Sequence, residues 1–197
     1  MKKGAAVSIV IIGLVVVMII GVAGYLVSTY NSMVTKQEDT KNKWAQVENQ
    51  LQRRADLIPN LVETVKGYAG HEEEVFTEVA KLRSGWNQAK ESGNINEQIE
   101  AANGLESALS RLLVVVESYP ELKADESFLK LQDQLEGTEN RISVERKRYN
   151  DEVTVFNKYI KTFPRSFLAS MFGFEEFTYF EIEESAKEVP KIQFQSN

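Results

Sequence analysis

The chain has 197 residues, of which 29 are acidic and 23 are Lys or Arg, giving a formal net charge of −6 at pH 7, and it has no cysteine. An acidic chain is not expected to bind the phosphate backbone of nucleic acids, and a chain without cysteine has neither disulfides nor thiolate metal sites. Its length is sufficient for one domain with its own hydrophobic core.

The N-terminal stretch Gly4–Tyr30 has 27 residues without a charged side chain, and it follows directly after Lys2 and Lys3. A helix rises about 1.5 Å per residue, so roughly 20 apolar residues cross a hydrocarbon core that is about 30 Å thick. The sequence therefore predicts a single-pass transmembrane anchor over residues 1–30. A signal peptide cleaved near Gly21–Ala23 is the alternative, although its apolar part is usually shorter, about 7–15 residues.

Beyond residue 30 the apolar residues recur at spacings of three, four and seven, which is typical of amphipathic helices. Turn signals at Gly67, Gly93 and Pro120 separate four such stripes, and Pro164 ends the last one. The predicted core positions are Trp44, Val47, Leu51, Ile58, Leu61, Val65, Tyr68, Val75, Val79, Leu82, Trp86, Ile99, Ala102, Leu105, Leu109, Leu112, Val116, Phe128, Leu131, Leu135, Ile142, Tyr149, Val153, Phe156 and Ile160. The sequence predicts an all-α fold in which residues 31–163 form an elongated, up-and-down, antiparallel four-helix bundle.

Pro59 lies inside the first helix of this bundle, where it has no N–H to donate to the carbonyl oxygen of Ala55. We expect a kink at this point. We also expect an arginine or asparagine side chain to donate a hydrogen bond to the carbonyl oxygen that Pro59 leaves free.

Residues 164–197 form a C-terminal tail that is aromatic-rich at first and polar and acidic from Glu181 onward. Such a density of large apolar side chains is not expected to stay in water, so it must cover the bundle, enter a bilayer interface or bind another protein. The apolar run Leu112–Val116 presents a similar choice between burial and a subunit contact. The candidates for an oligomer or membrane contact are Val115, Phe167, Phe172, Phe174, Phe177 and Phe180.

Several motifs resemble those of the LemA family of bacterial membrane proteins. They are Gln52–Val62 (QRRADLIPNLV), Val65–Ala69 (VKGYA), Tyr119–Ala124 (YPELKA), Leu135–Ile142 (LEGTENRI), and Arg148–Asn150 with Phe156–Asn157 and Phe163–Pro164. They follow one another in the family's order and stand after the expected anchor. The resemblance implies a single-pass N-terminal helix, an all-α bundle and a place in the cell envelope. It implies no established enzymatic activity.

Polar side chains lie on or beside the apolar stripes of the first and fourth helices. They are Arg53, Arg54, Asp56, Asn60, Asn140, Arg141, Arg146, Asn150 and Asn157. They form either a hydrogen-bonded network that stabilises the bundle or an interhelical pocket for a ligand or partner. The network is the favoured interpretation, because an unsatisfied buried polar group costs about 1–3 kcal/mol and must find partners.

No catalytic, cofactor or metal site is predicted. The single histidine, His71, cannot supply the paired Glu-x-x-His motifs of di-iron bundles, and Ser127, Thr138 and Ser143 have no base in a pattern that would activate them. The sequence therefore predicts a non-enzymatic, membrane-anchored interaction or scaffold module of the bacterial cell envelope. The alternatives are an oligomeric membrane-shaping assembly and, less favoured, an enzyme that uses Arg54, Asn150 and Asn157.

The location and partners follow from the anchor. Lys2 and Lys3 precede it, and Lys36, Lys41 and Lys43 follow it, so the positive-inside rule gives nearly a tie. The first pair lies closer to the apolar stretch, which slightly favours a helical domain outside the cytoplasm, on the inner or plasma membrane. We expect a homo-oligomer that contacts the membrane and other envelope proteins, and we expect neither nucleic acid nor a small-molecule substrate as a partner.

Overall fold

The computed structural model of the protein describes residues 2–70 and 72–181, and 87% of these residues are helical, with no strand among them. The elements in chain order are α1 (Lys2–Lys66), α2 (Glu73–Ser92), α3 (Ile95–Glu117), α4 (Pro120–Lys123), α5 (Glu126–Lys161) and α6 (Arg165–Phe172). The prediction of an all-α chain with an N-terminal apolar helix is confirmed.

α1 is one continuous helix that contains both the predicted anchor and the predicted first helix of the domain. Its continuity follows from the sequence, because no glycine or proline occurs between Gly24 and Pro59. Within the described residues, α1 is the one helix that is long and apolar enough to cross a membrane. Its most apolar stretch has a mean hydropathy of 2.6, and none of that stretch is buried.

α1 also passes through Pro59 and ends at Lys66. The Nε of Arg83, on α2, donates a hydrogen bond of 3.1 Å to the carbonyl oxygen of Ala55. The expectation that an arginine side chain would occupy this acceptor is therefore confirmed. The donor comes from α2, a helix that no sequence pattern connects with this position.

The described chain folds into two compact units, and both α1 and α5 contribute to each of them. The first unit contains the described residues up to Asn42 and Asp151–Phe177. The second unit contains Lys43–Asn150 and the described residues from Thr178 onward.

The core of the second unit is built from one face of each of its long helices. Its buried apolar members include Trp44, Val47, Leu51, Ile58, Leu61, Val65, Phe76, Val79, Trp86, Ile99, Ala102, Leu105, Leu109, Leu112, Val116, Leu122, Phe128, Ile142 and Tyr149. Most of these positions were predicted from the helical spacing. Tyr68 was predicted wrongly: it is 40% exposed, because α1 ends two residues earlier and the helical spacing no longer applies.

The core of the first unit joins α1, α5 and α6. Its buried members are Met33, Phe156, Ile160, Leu168 and Ala169, and Leu26, Tyr159, Phe174 and Phe177 pack against them. α6 was not recognised in the sequence, where only the aromatic composition of this region was considered. It ends at Gly173, whose φ of 74° places it in the left-handed region that glycine adopts readily.

Candidate functional site

A buried arginine is the centre of the charged contacts in the second unit. Arg54 on α1 is only 5% exposed, and its guanidinium forms ion pairs with Glu106 on α3 and Glu139 on α5. Burial lowers the pKa of Arg54, and the attraction of Glu106 opposes that effect. A buried cation requires such partners, since an uncompensated charge in a protein interior is strongly destabilising.

Arg146 extends the same charged group. It is half-buried, burial lowers its pKa, and the carboxylate of Glu106 raises it. The charge of Arg146 in turn lowers the pKa of Arg54. Two arginines therefore act on the carboxylate of Glu106. The positive charges of Arg54 and Arg146 balance the negative charges of Glu106 and Glu139, and the resulting network connects α1, α3 and α5.

A cavity of about 180 Å³ lies beside this network. Its wall combines the ion-paired Arg54, Glu106 and Glu139 with Leu109, Ser110, Leu113, Gln132, Leu135 and Glu136. Pockets that enclose drug-sized molecules usually measure about 300–1,000 Å³. The cavity is smaller than that, and its buried arginine already meets two carboxylates.

The remaining polar candidates from the sequence are not gathered at this network. Arg53, Asp56, Asn60, Asn140 and Arg141 are all exposed. Asp56 accepts a hydrogen bond of 2.8 Å from Gln52, one turn earlier on the same helix. Of the predicted polar residues, the structure brings Arg54 and Arg146 together and leaves these five on the surface.

Asn150 and Tyr149 hold the backbone of the C-terminal residues within the second unit. The amide of Asn150 donates to the carbonyl oxygen of Phe180 (3.0 Å) and accepts from its N–H (2.8 Å). The hydroxyl of Tyr149 donates to the carbonyl oxygen of Thr178 (2.8 Å), and burial raises its pKa. The Phe180 ring, itself buried, contacts Trp44 at 5.9 Å between centroids.

Asn157 holds a backbone segment of the first unit in the same way. Its amide donates to the carbonyl oxygen of Phe177 (2.9 Å) and accepts from the N–H of Phe177 (3.0 Å). The ring of Phe177 lies 5.2 Å from that of Phe156. A side-chain amide thus satisfies both backbone groups of a residue that belongs to no helix.

Sequence reasoning missed the partners of these side chains. Glu106 was not a candidate, and the backbone of Phe177 and Phe180 was not connected with the two asparagines. The available signal was spacing: Asn150 and Asn157 lie seven residues apart on one face of α5, and the two phenylalanines lie three residues apart in the chain.

The predicted contact residues differ in exposure. Phe174 and Phe177 are half-buried and Phe180 is buried, whereas Phe167 and Phe172 are 69% and 42% exposed. In the apolar run of α3, Val115 is half-buried, and its neighbours Leu113 and Val114 are 39% and 50% exposed. The exposed apolar surface of this run is therefore centred on Leu113 and Val114.

No group of three or more His, Cys, Asp or Glu side chains that could hold a metal ion occurs within residues 2–70 and 72–181. His71 lies outside the described residues. Thr138, one of the hydroxyls considered in the sequence, donates its hydrogen bond to the carbonyl oxygen of Leu135 (2.8 Å). The contacts that the structure shows around the charged network are ion pairs and hydrogen bonds, beside the apolar wall formed by Leu109, Leu113 and Leu135.

The sequence profile of the LemA family matches residues 43–194. Magnetosome proteins MamQ 1 and MamQ 2 of Paramagnetospirillum magneticum are each 29% identical over 205 residues, covering 91% of this chain and 75% of the relative. Magnetosome protein MamQ of Magnetospirillum gryphiswaldense is 28% identical over 190 residues, covering 85% and 70%. Protein LemA of Metamycoplasma hominis is 24% identical over 137 residues, covering 68% and 60%.

Proposed function

The chain belongs to the LemA family, and on that premise we propose that it is a non-enzymatic, membrane-anchored interaction or scaffold module of the bacterial cell envelope. One observation carries the proposal: the apolar segment that can cross a membrane is the start of the same helix that supplies core residues as far as Val65. A helical domain that shares a helix with its anchor is held at the bilayer while its other faces remain free for contacts.

The proposal includes a division into an anchor (1–30), a helical domain (31–163) and a tail (164–197). The domain is a four-helix bundle in this proposal, with α1, α2, α3 and α5 as its long helices. Support comes from the second unit, where all four contribute buried apolar side chains. Asn150 and Asn157 support a tail that covers the helices, because each pairs with the backbone of a tail residue.

The exposed apolar part of α3 is the proposed contact between copies of the chain. Leu113 and Val114 are adjacent apolar side chains that are 39% and 50% exposed, and a contact between copies would remove them from water. A net charge of −6 resists indiscriminate clumping, so closed symmetric assembly is expected. The proposed oligomer is therefore a small, defined one.

Mass photometry of the full-length protein in detergent tests this contact. The wild type is expected to be oligomeric, and the double variant Leu113→Ser with Val114→Ser is expected to shift toward the monomer. Val144→Ser is the matched control, because Val144 is an equally exposed valine, at 50%, on α5. A wild type that stays monomeric at micromolar concentration would contradict the proposed assembly.

The helical domain is placed outside the cytoplasm in this proposal, since Lys2 and Lys3 lie closest to the apolar stretch. The absence of native cysteine permits a direct test. A Gln88→Cys variant introduces a thiol at an exposed position of α2. Labelling of this cysteine in intact spheroplasts by a membrane-impermeant maleimide is expected. Labelling only after lysis would contradict the proposed orientation and place the helical domain in the cytoplasm.

An oligomeric membrane-shaping assembly is the second candidate. It is favoured by Phe163, Phe167 and Met171, which are large, exposed and in the same unit as the N-terminal part of α1. Deformation of liposomes by the purified protein would support a membrane-shaping assembly. Vesicles that keep their shape at high protein density would contradict it and favour the scaffold role. The enzyme alternative is not favoured, because the amides of Asn150 and Asn157 are engaged by backbone groups.

A further inference from the structure

α6 has two faces of opposite exposure. Leu168 and Ala169 are buried in the core of the first unit, at 5% and 4% exposure. Phe167 and Met171, four residues apart and so on one side of the helix, are 69% and 55% exposed, and Phe163 just before the helix is 83% exposed. The outward face of α6, together with Phe163 before it, therefore presents three large, exposed apolar side chains that do not belong to the core of the unit.

Contacts with α1 fix where this face lies along the anchor helix. The rings of Phe172 and Phe174 meet the ring of Tyr30 edge-on, at 5.0 and 5.9 Å between centroids. Leu26 packs against the same core as Leu168. Leu26 and Tyr30 lie at the end of the charge-free stretch. α6 is therefore at the level where α1 is expected to leave the hydrocarbon core of the bilayer.

Basic side chains flank the same region. The guanidinium of Arg165 lies 4.3 Å from the centroid of the Tyr159 ring, and the ammonium of Lys36 lies 5.4 Å from it. Lys161 is exposed and pairs with Glu176 at 2.6 Å. Helices that lie in a membrane interface combine an apolar face with basic residues, which attract anionic lipid headgroups.

We propose that the face of α6 formed by Phe163, Phe167 and Met171 enters the headgroup region of the bilayer that α1 crosses. The partner of this surface is lipid, because α6 packs against the end of the membrane-spanning segment and the cations of Arg165 and Lys36 lie in the same unit. The inference rests on the membrane attachment in the proposed function. It adds a second, interfacial contact that occupies one leaflet beside the anchor.

The test uses the full-length chain, whose lack of cysteine allows one spin label to be attached at a time. Labels at Phe167→Cys and Met171→Cys report on α6, and a label at Ile19→Cys reports on the membrane span. Val155→Cys is the matched water control, because Val155 is apolar, 45% exposed and in the same unit. The protein is reconstituted in vesicles of phosphatidylethanolamine and phosphatidylglycerol, and collisions with oxygen and with a water-soluble nickel complex are measured.

The expected result at Phe167 and Met171 is an oxygen-to-nickel collision ratio between that of Ile19 and that of Val155, and at least severalfold above Val155. A ratio equal to that of Val155, with Ile19 in lipid, would overturn the inference and leave the anchor intact. Low collision with both reagents would also overturn it, because another protein chain would then cover the face. A ratio at Ile19 equal to that of Val155 would contradict the membrane attachment in the proposed function itself.

Discussion

At the scale of single residues, the buried charge of Arg54 gives the sharpest prediction. Arg54→Ala leaves Glu139 without its cation and leaves Glu106 with the charge of Arg146 alone, so the free energy of unfolding is expected to fall by about 1–3 kcal/mol. The value stays moderate because both glutamate side chains are partly exposed, at 31% and 41%, and water can solvate them.

Urea unfolding in detergent, followed by circular dichroism, measures this change. Arg141→Ala is the control, because Arg141 is an exposed arginine on α5, and it is expected to change the midpoint very little. An Arg54→Ala protein with unchanged stability and lost cellular function would instead identify the charged network as a binding site.

Asp125 gives a prediction for pH. Its carboxylate accepts hydrogen bonds from the N–H groups of Phe128 and Ser127 and from the Tyr68 hydroxyl, and these lower its pKa, with the Phe128 N–H contributing most. A lowered pKa in the folded state stabilises the protein above the ordinary Asp value of 3.8. That stabilisation is lost as the pH falls through the lower, folded-state pKa.

The comparison is between the wild type and Asp125→Asn, which can cap α5 but does not titrate. The wild type is expected to melt at a higher temperature at pH 7, and the difference should shrink and then disappear as the pH falls below 3.8 and through the lower, folded-state pKa of Asp125. A difference in melting temperature that is constant across this range would show that the charge of Asp125 does not matter.

At the scale of helices and segments, Asn157 is expected to fix the non-helical residues that follow α6. Asn157→Ala removes both the donor and the acceptor that Phe177 uses, so the amide of Phe177 should exchange with solvent at least tenfold faster. Asn140→Ala is the control, because Asn140 is an exposed asparagine on the same helix. Equal exchange in the two variants would mean that the aromatic contacts alone hold this segment.

The helices themselves were largely predictable, because the periodicity of apolar residues reports which face is buried. α6 was missed because it is short, with only eight residues, and because it lies in a region dense in aromatic residues. The prediction that Tyr68 is buried was wrong for a related reason: the helical spacing of apolar residues does not show where a helix ends.

The candidate site was less predictable than the fold. Burial of Arg54 could be anticipated from its place beside the stripe of α1, but its pairing with Glu106 is a tertiary contact 52 residues away in the chain. The asparagines of α5 could be recognised as polar residues near an apolar face. Their partners are backbone groups, which every residue has. The matched spacing is compatible with the pairing, but side-chain type does not identify Phe177 and Phe180 as the residues whose N–H donates and whose carbonyl oxygen accepts.

At the scale of the whole molecule, the account depends on attachment by the apolar part of α1. Leu14 and Met18 lie one turn apart in that part and are 66% and 63% exposed, as side chains in contact with lipid would be. Arginine at such a position disfavours membrane insertion by about 3 kcal/mol. Replacing both residues by arginine should therefore abolish a single-helix anchor.

The most direct measurement is alkaline carbonate extraction of membranes from cells that express the full-length chain. The wild type is expected to stay in the membrane pellet, and the Leu14→Arg, Met18→Arg variant is expected in the supernatant. Leu129→Arg is the control and should stay in the pellet, because Leu129 is an exposed leucine of α5 outside the apolar stretch. A wild type that is extracted, or a double-arginine variant that remains membrane-bound, would contradict the account.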